Sequence, residues 1–150
     1  MSKLEYAASF RDLIVYRKAR ELALVIFSLT RQFPKEESFS LTDQIRRSSR
    51  SVGAQIAEAW AKRKYEKHFV SKLTDADGEQ QETQHWIETA LDCQYISEDE
   101  ATALLEKCSE LGRLLGGMIA KAEQFCKSSP YQIREEQADY FIAPSLRTEN

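Results

Sequence analysis

From Ala101 to Phe125 the chain repeats one pattern without a break: Ala101, Leu104, Cys108, Leu111, Leu115, Met118, Ala122 and Phe125 follow one another at spacings of three and four. That periodicity puts all eight side chains on one face of an α-helix. A stripe of that length is stable in water only when other stripes cover it, and the chain holds three more. Val15, Ala19, Leu22, Ile26, Leu29 and Phe33 make one, Ile45, Val52, Ile56 and Ala59 a second, and Phe69, Leu73, Ala76, Thr83, Ile87 and Ala90 a third. No stretch alternates with the period of a strand, and only five glycines interrupt 150 residues. Four amphipathic helices on short connections predict an all-α protein, an antiparallel up-down-up-down four-helix bundle. The bundle is expected over residues 10–126, with a flexible leader at 1–9 and a tail at 127–150 that is either flexible or docked.

The boundaries come from local chemistry. Ser9-Phe-Arg-Asp12, Ser40-Leu-Thr-Asp43 and Ser97-Glu-Asp-Glu100 share the Ser-x-x-acid form, in which a serine oxygen and an acid satisfy the free amides at a helix start. They predict helices running from about Ser9 to Phe33, Ser40 to Lys62 and Ser97 to Cys126. Pro34 closes the first, since proline disfavours helical geometry in the residue before it. The crowding of Lys62, Arg63 and Lys64 suits a helix C-terminus. It places a turn before a third helix that runs from about Glu66 to Tyr95. Gly78 falls inside that helix, where it costs about 1 kcal/mol relative to alanine; close packing or a local bend is its expected use.

Helix 2 differs from an ordinary surface helix. Opposite its core stripe lie Arg47, Ser51, Ala54 and Glu58, and between the two run Arg46, Arg50, Gly53 and Ala57. Small residues alternating with arginines suit the close approach of a second body, so this helix is expected to be packed on two sides. The formal net charge of -3 conceals a segregation. Eight basic side chains against two acidic ones lie between Gln44 and Lys72, and from Asp75 to Glu100 nine acids occur with no Lys or Arg. Either the basic block is a phosphate-binding surface, or two antiparallel neighbours neutralise each other.

There is no apolar run long enough to span a bilayer and no signal-peptide pattern at the start, so a cytoplasmic protein without membrane contact is expected. Cys93, Cys108 and Cys126 are odd in number and lack Cys-x-x-Cys spacing, which argues for buried thiols over a disulfide frame or zinc site.

Three segments resemble a known family. They are Phe10-Arg-Asp-Leu-Ile-Val-Tyr-Arg-Lys-Ala19; Phe33-Pro34 followed by Leu41-Thr, Gln44-Ile-Arg-Arg-Ser48 and the Ser51-to-Glu58 stretch; and Asp77-Gly78 with Glu82-Thr83. In order and spacing they are similar to the small bacterial four-helix-bundle proteins of the 23S rRNA-intervening-sequence type. That resemblance implies a homopentamer without established enzymatic activity. A related group, the accessory proteins of diversity-generating retroelements, uses a basic surface to bind nucleic acid and a reverse transcriptase. The chain departs from the family pattern at Gln55, Ala59 and Glu79, where Asn, Gly and Ser are usual. The larger Gln55 and Ala59 imply altered helix packing or subunit spacing.

These readings lead to a non-catalytic homo-oligomeric binding or scaffold protein. Nucleic-acid phosphate is the first candidate ligand, met by Arg46, Arg47, Arg50, Lys62, Arg63, Lys64 and Lys67, with Trp60 and Tyr65 available to stack on bases or to pack. Arg47, Ser51, Ala54 and Glu58 are the candidate oligomer interface. The alternative is a protein–protein scaffold that binds no nucleic acid, acting through the subunit ring or through Tyr140-Phe-Ile-Ala-Pro144 in the tail. Glu82-Thr-Gln-His85 has the Glu-x-x-His form of di-iron bundles, but such a site needs a second copy of the element. The only other histidine, His68, lacks it. A metal-binding bundle enzyme is therefore the remotest reading, and neither cofactor nor metal is expected.

Overall fold

A computed structural model describes residues 7–126. The expectations for residues 1–6 and for the tail at 127–150, including Tyr140-Phe-Ile-Ala-Pro144, lie outside the described residues. Four long helices form the bundle: α1 (Ile14–Thr30), α2 (Leu41–Ala61), α3 (Glu66–Asp92) and α4 (Glu98–Ala120), followed by a short α5 (Ala122–Cys126). Consecutive helices pack side by side and α1 closes the ring onto α4. Every side chain of the stripes on α2, α3 and α4 is buried. Of the first stripe, Val15, Ala19, Leu22 and Ile26 are buried on α1, and Leu29 and, just beyond the helix, Phe33 are partly buried against the core. Ile26, Ile45, Ala90, Ile96 and Leu104 converge from all four helices on one seam too narrow to hold water.

The capping signatures divide three ways. Ser97 and Glu100 close a full capping box on α4, as the sequence predicts. The Ser9–Asp12 box also forms, but it closes one turn of 3-10 helix over Phe10–Asp12. Leu13 is then extended, and α1 starts only at Ile14. Asp12 also accepts from the Ala8 amide at 2.6 Å, and Ala7 is fully buried, so the expected loose leader is already packed from Ala7 on. At the third signature the side chain does not cap at all. Ser40 donates to Glu37 Oε1 at 2.5 Å, and Asp43 accepts from Arg47 instead.

Helix ends also fall short of their expected positions. α1 stops at Thr30, where the threonine hydroxyl bonds back to the Ile26 carbonyl at 2.7 Å. α3 stops at Asp92 because Gln94 adopts a left-handed φ of 63°. The Tyr95 amide then reaches the Ala90 carbonyl and the Gln94 amide that of Leu91, which is a Schellman ending. The fourth stripe runs on through Phe125, although Lys121 breaks the helix beneath it.

Gly78 is exposed, and a Cβ there would meet nothing within 4 Å, so it serves no close packing. Gly112 does. A Cβ at Gly112 would stand 2.9 Å from the amide nitrogen of buried Gln80, which bonds to Asp77. Between α2 and α3 the buried hydroxyls of Ser48 and Thr83 lie 2.8 Å apart. Two ion pairs, Lys18–Glu110 and Lys107–Glu21, cross the α1–α4 seam. Both are partly exposed and add little to stability. Of the cysteines only Cys108 is fully buried; Cys93 is exposed, contrary to expectation, because it lies at the end of α3.

Two outcomes follow from this packing. Leu111→Ala should lower the unfolding free energy by about 2–5 kcal/mol, whereas Gln94→Gly should raise it by roughly 1 kcal/mol by relieving the left-handed residue; urea denaturation measures both. Burial pushes the Cys108 thiol up to about 12. A maleimide at neutral pH should therefore label Cys93 in the folded protein and reach Cys108 only after unfolding.

Candidate functional site

Two surfaces beside α2 present unsatisfied chemistry. The first is a groove of about 400 Å³ between α1 and α2. Its floor is Ala19, Ala23, Gly53 and Ala57, and its walls are Tyr16, Leu24, Phe27 and Ala54. Small side chains make the hollow. At Gly53 a Cβ would already touch the Tyr16 ring at 3.7 Å. One end is closed by Phe10, whose ring meets Tyr16 edge-on at 4.8 Å. Leu24 stands on the lip, 66% exposed.

Arginines surround this groove. The guanidiniums of Arg46, Arg50 and Arg31 lie 4.9, 5.7 and 5.9 Å from the Phe27 ring centre. Arg20 sits 3.3 Å from the Tyr16 hydroxyl. Arg46 also donates to Thr30 Oγ1 at 2.8 Å. The electron-rich ring faces attract these cations without neutralising them. None of the four forms an ion pair with a carboxylate among the described residues. Arg20, Phe27 and Arg31 are functional candidates that the sequence analysis did not single out. Their signal was present in the ridge Tyr16, Arg20, Ala23, Phe27 and Arg31, spaced by three and four.

The second surface is the turn between α2 and α3. Lys62, Lys64 and Lys67 are exposed there, with Tyr65 57% exposed between them. Tyr65 packs against His68 at 5.4 Å, and the Lys64 ammonium lies 5.8 Å from its ring. Arg63 points the other way. It is buried, its guanidinium 3.4 Å from the Trp60 ring centre and its Nε donating to the Trp60 carbonyl. Both Arg63 and Trp60 are thus committed to packing.

The seven residues expected to meet phosphate therefore split. Arg50 lines the groove and Arg46 lies over the Phe27 ring at its edge, Lys62, Lys64 and Lys67 belong to the turn, and Arg63 to the interior; Arg47 pairs with Asp43 at 2.8 Å. Of the four interface candidates, Ala54 opens into the groove and Ser51 is half-buried. Glu58 accepts from Lys72 at 3.2 Å. Between the basic and acidic blocks, Lys72 and Asp75 stand 3.9 Å apart. The acidic face of α3 is left to repel itself. Burial first, then the charges of Glu82 and Asp75, pushes the Glu79 carboxyl up.

Glu82 and His85 do not converge on a metal position. Glu82 accepts from the Trp86 indole at 3.2 Å and the His85 ring packs on Trp86. Among the described residues no three of His, Cys, Asp and Glu come together. No helix there is long and apolar enough to cross a membrane.

Fold and surfaces define a small four-helix-bundle protein with basic and aromatic chemistry beside α2 and an acidic face on α3. Residues 11–117 match the model of the 23S rRNA-intervening sequence protein family, and the chain belongs to it. It is also similar to the crystal structure of a protein of unknown function from the S23 ribosomal protein family of Bacteroides thetaiotaomicron. That likeness has 30% identity and a TM-score of 0.65, over 71% of this chain and 98% of that one. No curated protein matches the chain.

The different fates of neighbouring cations give a test. Arg63→Ala should cost about 1–2 kcal/mol of stability through the lost indole contact, while Lys64→Ala should stay within roughly 0.5 kcal/mol of the parent. Chemical denaturation of the two variants checks this.

Proposed function

We propose that this chain is a non-catalytic, homo-oligomeric binding protein of the cytoplasm, and that the turn between α2 and α3 contacts nucleic-acid phosphate. The observation that supports this most directly is the cluster Lys62, Lys64 and Lys67 around exposed Tyr65, where three ammonium groups form no ion pair with a carboxylate among the described residues. Lysines of this kind act as point charges on a sugar–phosphate backbone. The ring between them can stack on an unpaired base. Such contacts release counterions and read little sequence.

Assembly rests on α2. Its outer ridge of Arg47, Ser51, Ala54 and Glu58 carries small residues between charges, and the adjoining groove leaves apolar surface open. The family resemblance makes five the preferred number of copies. An overall net charge of -3 keeps general attraction to nucleic acid weak, so binding depends on the local cluster and on its repetition across subunits.

Light scattering should show a mass several times that of one chain. In filter binding with a structured RNA, affinity should fall steeply from low to physiological salt. Replacing Lys62, Lys64 and Lys67 together by alanine should flatten that dependence by about two to three logarithmic units per logarithm of salt. Salt-independent binding, or a triple variant that binds like the parent, would reject the phosphate reading.

A further inference from the structure

Three large apolar side chains stand exposed among the described residues: Tyr65 in the basic turn, Leu24 on the lip of the groove, and Phe39. Phe39 is 97% exposed, so it contributes nothing to its own core. Its position is nevertheless held. The carboxylate of Glu37, two residues earlier, accepts from the Ser40 hydroxyl at 2.5 Å, from the Leu41 amide at 3.4 Å and from the Tyr95 hydroxyl at 2.9 Å. Those bonds tie the connection between α1 and α2 to the end of α3, and the same bonds hold the Glu37 carboxyl below the usual carboxylate range, Ser40 contributing most. A phenyl ring is thus presented to solvent on a short, fastened loop. Fastening matters because a backbone already fixed leaves only the ring's own rotamer freedom to be lost on binding.

We propose that Phe39 of one copy seats in the groove between α1 and α2 of another copy. This rests on the homo-oligomeric reading above and supplies its contact. Three complementarities support it. A hollow of about 400 Å³ walled by Tyr16, Leu24 and Phe27 admits a phenyl group and offers ring edges and faces to meet it. Seating the ring covers both Phe39 and Leu24, two of the three exposed apolar side chains. Charge agrees as well, since Glu36, three residues before Phe39 on the same connection, has no ion-pair partner among the described residues, and neither has Arg20 or Arg50 at the lip. Because plug and socket are different patches of one molecule, the contact is heterologous. Repetition builds a closed ring or an open filament, never an isolated two-fold pair.

The test uses the full chain in sedimentation velocity across a concentration series. Phe39→Ser removes the plug, and Leu24→Glu damages the socket by taking away its apolar lip and setting a carboxylate beside Arg20. Both positions are exposed, so circular dichroism should report unchanged helicity. Each variant should assemble at least about tenfold more weakly than the parent, the scale expected for uncovering one large apolar side chain. Mixing the two should then yield dimers and nothing larger, because the Leu24→Glu chain keeps its Phe39 and the Phe39→Ser chain keeps its groove. Phe141→Ser in the tail should leave assembly as it is.

A Phe39→Ser protein that assembles like the parent overturns the proposal, as does a mixture that forms no dimers. Dissociation by Phe141→Ser with indifference to Phe39→Ser would instead assign the groove to the tail. A parent that is monomeric throughout the series removes both this contact and the oligomeric reading. An oligomer indifferent to Phe39 removes the contact alone.

Discussion

The structure depends on α2 being buried along one side while staying thin on the other. Ile45, Val52, Ile56 and Ala59 are no more than 2% exposed. They bring α2 against both α1 and α3, so it is the element through which the bundle coheres. Serines take part in the same burial. Ser48 and Ser49 are 1% exposed and donate their hydroxyls to carbonyls one turn back, and Ser48 also accepts from Thr83 across the interface. Small polar residues of this kind let two backbones approach without leaving a donor unsatisfied. On the other side Gly53, Ala54 and Ala57 leave the groove that a run of leucines would have filled.

The charge pattern is resolved by geometry, not by pairing along the sequence. A helix shows each neighbour only a narrow arc, so a basic block and an acidic block on adjacent helices neutralise each other only where their arcs meet. Across α2 and α3 the ion pair is Glu58 with Lys72, an acid and a base that both belong to the basic block, and the acidic block reaches it only through Asp75, one turn from Lys72. Arg46 and Arg50 lie on the opposite arc, toward α1, where the available partners are an aromatic ring and a threonine hydroxyl. A ring face holds a guanidinium in place yet leaves its charge available to a third party. On α3 the Glu79 carboxyl is pushed up first by its own burial and then by the neighbouring charges of Glu82 and Asp75.

The core was legible because it obeys a period, and the period does not depend on detail. Stripe membership held residue by residue on α2, α3 and α4 even where helix ends moved, as at Gln94 and Lys121. Caps were less legible. Ser9, Ser40 and Ser97 offer the same local sequence, but what the serine oxygen meets depends on the chain beyond four residues, and at Ser40 it meets Glu37, which is itself fixed by Tyr95, 58 residues away. The fate of a single cation is least legible of all. Arg63 and Lys64 are neighbours in a basic run, yet one lies under an indole and the other in water, because the turn points successive side chains in different directions. Phe39 gave no periodic signal in either direction, since it belongs to no helix.

The two candidate surfaces are also related by the length of α2. Phe39 precedes it and Lys62 follows it, so its 21 residues set them about 30 Å apart along one rigid rod. In a ring joined through Phe39 and the groove, each copy would carry its lysine turn at the same height, displaced from its neighbour's by the rotation of the ring. On the proposed reading, three lysines on one copy would bind a phosphate backbone weakly. The same three repeated at fixed intervals engage one strand several times, and each engagement after the first is intramolecular. For a negatively charged protein, assembly and polyanion binding would then favour each other, since each raises the apparent affinity of the other. Weak binding by the separated chain and strong binding by the ring would be the same chemistry at two effective concentrations.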